Sequence, residues 1–158
     1  MNRPVVVTGI AGFIGPHVAR RLLAEGVRVI GLDDLSQGTV ENVPPGVQFI
    51  QGDVGDARTL AQLPDDVEYI LHLAGQSSGE ISFEDPIGDL QKNTISTLQL
   101  IRWAIRRDVR RFVYASSMAI YGPHPDTPAT ETDVCQPLSC YGVGKLAAER
   151  YLQVYAKQ

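Results

Sequence analysis

Apolar residues fall into short continuous runs separated by stretches with helical spacing, and the two patterns alternate along the chain. The first run, Val5-Val6-Val7-Thr8, is β-branched, the signature of a strand buried on both faces of a parallel sheet. Residues 4–8 are therefore expected as the first strand. Ile14, Val18, Leu22 and Leu23 share one side of a predicted helix over residues 13–24. A second strand is expected over 27–32, closed by Asp33-Asp34, then a loop over 36–46 marked by Gly38, Pro44, Pro45 and Gly46. The pattern next predicts a short strand over 47–50 ending at Gly52-Asp53, a weak helix over 57–63 before Pro64, and a fourth strand over 67–73. After a Gly/Ser-rich turn, Leu90, Ile95, Leu98, Ile101, Trp103 and Ile105 predict one long helix over 86–107. A fifth strand over 111–115 runs into Ser116-Ser117, loop signals fill 123–137, and a last helix covers 138–156.

Alternating strands and helices imply parallel pairing and right-handed crossovers. The expected fold is α/β: a Rossmann-type doubly wound sheet of five parallel strands in the order 3-2-1-4-5. At 158 residues the chain is expected to form one nucleotide-binding domain over 1–158 with its own core. A formal net charge of −4 argues against a broad nucleic-acid or membrane footprint. The basic cluster Arg106, Arg107, Arg110 and Arg111 reads as a solvated helix end favoured by the helix dipole. No apolar stretch approaches the ~20 residues that span a bilayer, and the N-terminus lacks a secretory pattern. Cys135 and Cys140 read as free thiols in a reducing cytoplasm, and His17, His72 and His124 are too scattered to suggest a metal site.

Parallel sheets bind ligands beyond the carboxyl ends of their strands, and the candidate residues collect there. Gly9 allows a tight turn, Gly12 lets the backbone approach a pyrophosphate, and Gly15 lets the following helix pack closely. That helix would present its N-terminal amides and positive dipole end to phosphate. Asp33 lies eighteen residues after Gly15 (33 − 15), near the ~20-residue offset at which a carboxylate takes adenosine ribose hydroxyls. A carboxylate there repels a 2′-phosphate, so NAD is expected in preference to NADP. Asp53, Ala74-Gly75 and Ser116-Ser117 lie on the same edge. Tyr141 and Lys145, four apart, share one helix face. A lysine ammonium beneath a phenol favours the phenolate, drawing its pKa down from ~10. Such a phenol can take the proton of an alcohol while hydride leaves the adjacent carbon. The same spacing also describes an ordinary surface pair, and the glycine-rich opening is what gives it weight.

Six ordered motifs carry a resemblance over essentially the whole chain. They are Thr8-Gly9-Ile10-Ala11-Gly12-Phe13-Ile14-Gly15, Leu32-Asp33-Asp34-Leu35-Ser36, Gly52-Asp53-Val54, His72-Leu73-Ala74-Gly75, Ser116-Ser117-Met118-Ala119-Ile120-Tyr121-Gly122 and Tyr141-Gly142-Val143-Gly144-Lys145, with Asn93 in the long helix. The chain resembles the N-terminal part of an extended short-chain dehydrogenase/reductase of the NAD-dependent sugar-nucleotide epimerase/dehydratase type. The resemblance implies cofactor contacts from Gly9, Gly12, Phe13, Ile14, Gly15, Asp33, Leu73 and Asn93. It further implies that Asp53 and Val54 meet the adenine, and that Ala74 and Gly75 flank phosphate and ribose. Ser117, Tyr141 and Lys145 become the catalytic set, the last two also touching the cofactor. Ser117 is preferred to Ser116 because the family's serine precedes the tyrosine of its motif by four, as Ser117 precedes Tyr121. Relatives that carry out 4,6-dehydration place an Asp-Glu pair after that serine or threonine. Met118 and Ala119 stand there instead and cannot transfer protons.

The resemblance thus implies a UDP-sugar 4-epimerase-like protein that oxidises and re-reduces carbon four through NAD. The family continues with a sixth strand and a substrate-binding lobe. The chain by itself is therefore expected to bind NAD without turning over a sugar nucleotide, and strand five is expected as an apolar edge. A homodimer is expected through the two helices flanking strand five, where Leu98, Ile101, Ile105, Leu146, Leu152 and Tyr155 offer an apolar seam, burial under the sheet being the competing use for several of them. Two other readings stand beside it: a non-catalytic NAD-binding module, and an NAD(P)-dependent reductase that consumes NADH.

Overall fold

The structure, a computed structural model, describes residues 3–123 and 128–157. His124, residues 125–127 of the expected loop and the extreme ends of the chain lie outside the described residues. Strands β1 (Val5–Thr8), β2 (Val29–Asp33), β3 (Gln48–Gln51), β4 (Tyr69–His72) and β5 (Arg111–Tyr114) form one sheet ordered β3-β2-β1-β4-β5. All four pairings are parallel. The helices are α1 (Gly15–Ala24), α2 (Ala57–Leu60), α3 (Gly79–Glu84), α4 (Pro86–Leu90), α5 (Ser96–Ile105) and α6 (Cys140–Tyr155). The doubly wound architecture and strand order are those the alternating pattern predicts.

The described chain divides into two compact units. The first comprises residues up to Gly75 and Gln99–Ala115, and it contains the sheet. Alternate residues of β1 leave on opposite faces, which is why an unbroken apolar run is needed there. Val6 joins Ile30, Leu32, Ile50, Val54, Leu60, Ile70, Leu100 and Trp103 in one core cluster. Val5 and Val7 join Ile10, Ala19 and Val29 in the other, with Leu22 and Leu23 of α1 packed against it. Fully buried strand positions of this kind typically cost ~2–5 kcal/mol when a large side chain is cut back to alanine. Arg107 is bonded to Asp65 (Nε–Oδ1 2.9 Å) and lies over the Trp103 ring, so part of the basic cluster is engaged within this unit.

The second unit comprises Gln76–Leu98 and residues from Ser116 onward. Here the sequence reading needs correction. The Gly/Ser-rich stretch expected as a turn contains α3, started by Ser78, whose Oγ accepts from the Ile81 amide at 3.2 Å. The single helix expected over 86–107 is interrupted by a π-helical turn, Gln91–Ile95, between α4 and α5. A capping aspartate, Asp85, starts α4 by accepting from the Gly88 amide at 2.9 Å. Helix α6 begins at Cys140 because Ser139 Oγ accepts from the Gly142 amide at 3.0 Å.

One side-chain expectation also fails. Ile14 is exposed at the N-cap of α1 rather than buried on its apolar side, because residues up to Ile14 still belong to the glycine turn. Of the residues offered for a seam, Ile101, only 3% exposed, takes the competing use, whereas Ile105 faces solvent.

Candidate functional site

In the first unit, the turn from β1 into α1 is built on three glycines with different tasks. Gly9 adopts φ +70°, and a Cβ there would also lie 2.9 Å from the Ala74 nitrogen. At Gly15 a Cβ would stand 2.2 Å from the Gly9 oxygen and 2.7 Å from the Ile10 Cα, so the helix can approach only without a side chain. Gly12 is different: a Cβ there would meet only the Gly9 oxygen, at 3.4 Å. Its outer side is open, as a close-lying phosphate requires. No side chain caps α1, so its N-terminal dipole is not quenched by a capping carboxylate or hydroxyl. Phe13 and Ile14 are exposed beside it. These features fit a dinucleotide pyrophosphate.

Asp33 ends β2 and works in two directions. Its Oδ2 accepts from the Ala11 amide at 2.9 Å and its Oδ1 from the Leu35 amide at 2.9 Å. Leu35 has φ +60°, sparsely populated for leucine, and the bond to Asp33 holds it there. Each carboxylate oxygen keeps a further lone pair, so the group can still take a ribose hydroxyl. The Ala11 carbonyl is held from the other side by Asn42, which donates Nδ2–H at 2.9 Å. The loop carrying Asn42 comes close at Gly38, where a Cβ would stand 2.4 Å from the Ala11 oxygen. Ala11 is thus held at both its amide and its carbonyl.

At the end of β4, the Thr8 hydroxyl accepts from the Leu73 and Ala74 amides at 3.1 and 3.0 Å and lies 2.7 Å from His72 Nδ1. With both lone pairs taken, its proton goes to Nδ1, which fixes the buried His72 with any ring proton on Nε2. The strand end that carries Leu73, Ala74 and Gly75 is tied in this way to the glycine turn. After β3, Asp53 accepts from the Gly55 amide at 2.7 Å. Val54 spends its side chain on the core, leaving its backbone as the part able to meet a ligand.

The second unit holds Ser117, Tyr141, Lys145 and also Asn93, which the sequence reading grouped with the cofactor residues. Ser117 Oγ accepts from the Ala119 amide at 3.2 Å and caps a 3-10 turn, Met118–Ile120, that packs on α6. Gly142 and Gly144, between Tyr141 and Lys145, let α6 pack closely on its neighbours. A Cβ at Gly142 would stand 2.6 Å from the Ala119 oxygen, and at Gly144 it would stand 3.2 Å from Thr94 Oγ1. Thr94 Oγ1 donates to the Gly144 carbonyl at 3.0 Å, seating α6 on the π turn. Lys145 is 5% exposed, and its Nζ lies 5.9 Å from the centroid of the Tyr141 ring. Burial lowers the Lys145 ammonium from 10.5 to about 8, and the charge of Asp89 opposes that fall. It therefore remains mostly cationic near pH 7.

Asn93 is 1% exposed and donates Nδ2–H to Asp89 Oδ1 at 2.8 Å. Gln76 donates to the same oxygen at 2.9 Å. Asn42, Asp89 and Gln76 are site-supporting residues that sequence reasoning missed. Asn42 sits in a stretch read only as loop. Asp89 sits four residues before Asn93, a helical neighbour spacing that could have drawn attention to it.

Comparison with known proteins gives one consistent result. Residues 5–158 match the NAD dependent epimerase/dehydratase family. A UDP-glucose 4-epimerase of Mycolicibacterium smegmatis is 40% identical over 157 residues, covering 95% of this chain and 50% of that protein. The crystal structure of Thermus thermophilus UDP-glucose 4-epimerase complexed with NAD superposes with a TM-score of 0.93 at 39% identity, covering 98% of this chain and 51% of that one. UDP-glucose 4-epimerase of Thermotoga maritima with UDP-glucose gives a TM-score of 0.94 at 37% identity, covering 100% of this chain and 52% of that one. The chain spans about half the length of the relatives it matches.

Proposed function

Because this chain belongs to the NAD dependent epimerase/dehydratase family, we propose that it supplies the cofactor-binding residues and the acid–base group of a UDP-sugar 4-epimerase. The observation that carries this reading is the buried Lys145 beside the Tyr141 ring on one face of α6. Gly9, Gly12, Phe13, Ile14 and Gly15 would hold the NAD pyrophosphate, Asp33 the adenosine ribose, and the Asp53-Val54 and Leu73–Gly75 stretches the remainder of its adenosine half. Bound NAD supplies a reversible hydride acceptor for carbon four of the sugar. Tyr141 takes the proton of the C4 hydroxyl and later returns it, Ser117 holds the C4 oxygen, and Lys145 keeps positive charge near the phenol. Met118 and Ala119 offer no acid or base, which favours epimerisation over 4,6-dehydration.

The test is interconversion of UDP-galactose and UDP-glucose, followed by product ratio, in a protein that carries this chain together with the remaining half of its relatives. Conversion without net change in NADH is expected. Stoichiometric NADH consumption would make the protein a reductase instead. The chain itself is expected to bind NAD at least about ten-fold more tightly than NADP, a difference of about 1.4 kcal/mol, because Asp33 repels a 2′-phosphate. Calorimetric titration of both cofactors checks this, and equal affinity would remove Asp33 from the ribose.

No described helix is long and apolar enough to cross a membrane. Free thiols at Cys135 and Cys140 support a reducing, cytoplasmic setting. Exposed Val143, Tyr151 and Val154 on α6 support a homodimer, with Leu146, Leu152 and Tyr155 half-buried behind them. Light scattering is expected to give twice the chain mass at micromolar concentration, and a monomer throughout would exclude the pairing.

A further inference from the structure

We propose that Asp89 is a positioning residue of the second unit, the counter-charge of Lys145 and the anchor of Asn93. Nothing in the glycine motif or the Tyr141–Lys145 spacing calls for a carboxylate at this point, yet one is buried there, 2% exposed. Its Oδ1 is fully engaged, accepting from Asn93 Nδ2 at 2.8 Å and Gln76 Nε2 at 2.9 Å. Its Oδ2 is buried and takes no hydrogen bond among the described residues. That second oxygen faces α6 at the residue before Lys145, since a Cβ on Gly144 would lie 3.4 Å from it.

A buried carboxylate with an oxygen outside the hydrogen-bond network is costly unless a positive charge compensates it. The elements packed around it carry Glu80 and Glu84 on α3, Lys92 in the π turn, and Lys145, Glu149 and Arg150 on α6. Of the charged groups, Lys145 and the capping Asp85 act on Asp89, and Asp89 acts on Lys145. Burial drives Asp89 upward and Lys145 downward, each toward neutrality, and their mutual attraction opposes both. The π turn completes the device. It carries Asn93, whose amide reaches back four residues to Asp89. Gln76, also bonded to the Ser78 carbonyl at 2.7 Å, fixes the carboxylate from the start of α3. Asp89 thereby holds Lys145 cationic at the pH where Tyr141 must exchange a proton. That consequence for catalysis rests on the function proposed above, whereas the Asp89–Lys145 coupling does not.

The test is a pH titration by NMR of the 158-residue chain with 13C-labelled lysine. Lys92, Lys145 and Lys157 are its only lysines, and Lys145→Arg assigns the signal. Lys145 is expected to titrate near pH 8. In Asp89→Asn the midpoint is expected to fall by at least about one unit, a ten-fold weaker hold on the proton. An unchanged midpoint in a folded Asp89→Asn chain would overturn the proposal. Should that variant fail to fold, the wild-type Asp89 carboxyl carbon serves instead. It should show an inflection near pH 8 as Lys145 loses its charge, and a flat response from about pH 6.5 to 9.5 would equally overturn the proposal. In the epimerisation assay, Asp89→Asn should move the alkaline limb of the kcat profile downward by the same interval with KM little changed. Coupling seen by NMR without epimerase activity would leave this proposal standing and defeat the functional one. Activity without coupling would do the reverse.

Discussion

Replacing Tyr141 with phenylalanine, in a protein that joins this chain to the remaining half of its relatives, is expected to lower kcat for UDP-sugar epimerisation by roughly 10²–10⁴-fold. The substitution removes one oxygen and nothing else. Tyr141 is half-buried on α6, and phenylalanine keeps the ring over which Lys145 Nζ lies at 5.9 Å. Stability should therefore change little, while the group that takes and returns the C4 proton is lost. NAD affinity should move by less than about two-fold, because the residues assigned to adenosine and pyrophosphate belong to the other unit. Stopped turnover with intact cofactor binding separates a catalytic tyrosine from a structural one. If kcat and NAD affinity collapse together, the phenol is part of the cofactor's support and the acid–base assignment is wrong. If kcat survives, another group moves the proton.

Where the sequence was legible follows from what each residue interacts with. Strands could be read because β-branched runs such as Val5-Val6-Val7 suit a parallel strand covered on both faces, and their order because they alternate with helices. The glycines and Asp33 could be read because their tasks are set by backbone geometry close in sequence. Asp33 still did more than its position implied, since the bonds to Ala11 and Leu35 depend on where loops return in space. Asn42 was invisible for the same reason. It lies thirty-one residues from the carbonyl it holds, inside a stretch whose composition says only loop. The π turn was hidden because Leu90, Ile95, Leu98 and Ile101 keep near-helical spacing across it, and one extra residue in a turn barely disturbs that pattern. Asp89 was hidden because a lone aspartate on a helix is normally a solvated one, and only burial shows otherwise.

Gly15→Ala and Gly12→Ala, made in the 158-residue chain, are expected to differ in kind. At Gly15 the added methyl would stand 2.2 Å from the Gly9 oxygen and 2.7 Å from the Ile10 Cα, both backbone atoms that cannot rotate away. Helix α1 must shift outward, opening the cluster in which Ala19 packs with Val5, Val7, Ile10 and Val29. Overpacking of this sort costs about 1–3 kcal/mol, which for a chain of this size lowers Tm by roughly 2–12 °C. Because the shift also moves the helix N-terminus, NAD affinity should fall at least about 100-fold, or about 2.8 kcal/mol. At Gly12 the methyl would meet only the Gly9 oxygen at 3.4 Å, an ordinary contact, so Tm should stay within about 2 °C. It would nonetheless stand on the open side of the turn where the pyrophosphate is assigned, and NAD affinity should again fall by about 100-fold or more. Thermal unfolding and calorimetric titration of the two variants decide the matter. A Gly12→Ala chain that keeps both its Tm and its NAD affinity would place the pyrophosphate elsewhere. A Gly15→Ala chain as stable as the parent would mean that α1 does not need its close seat on the glycine turn.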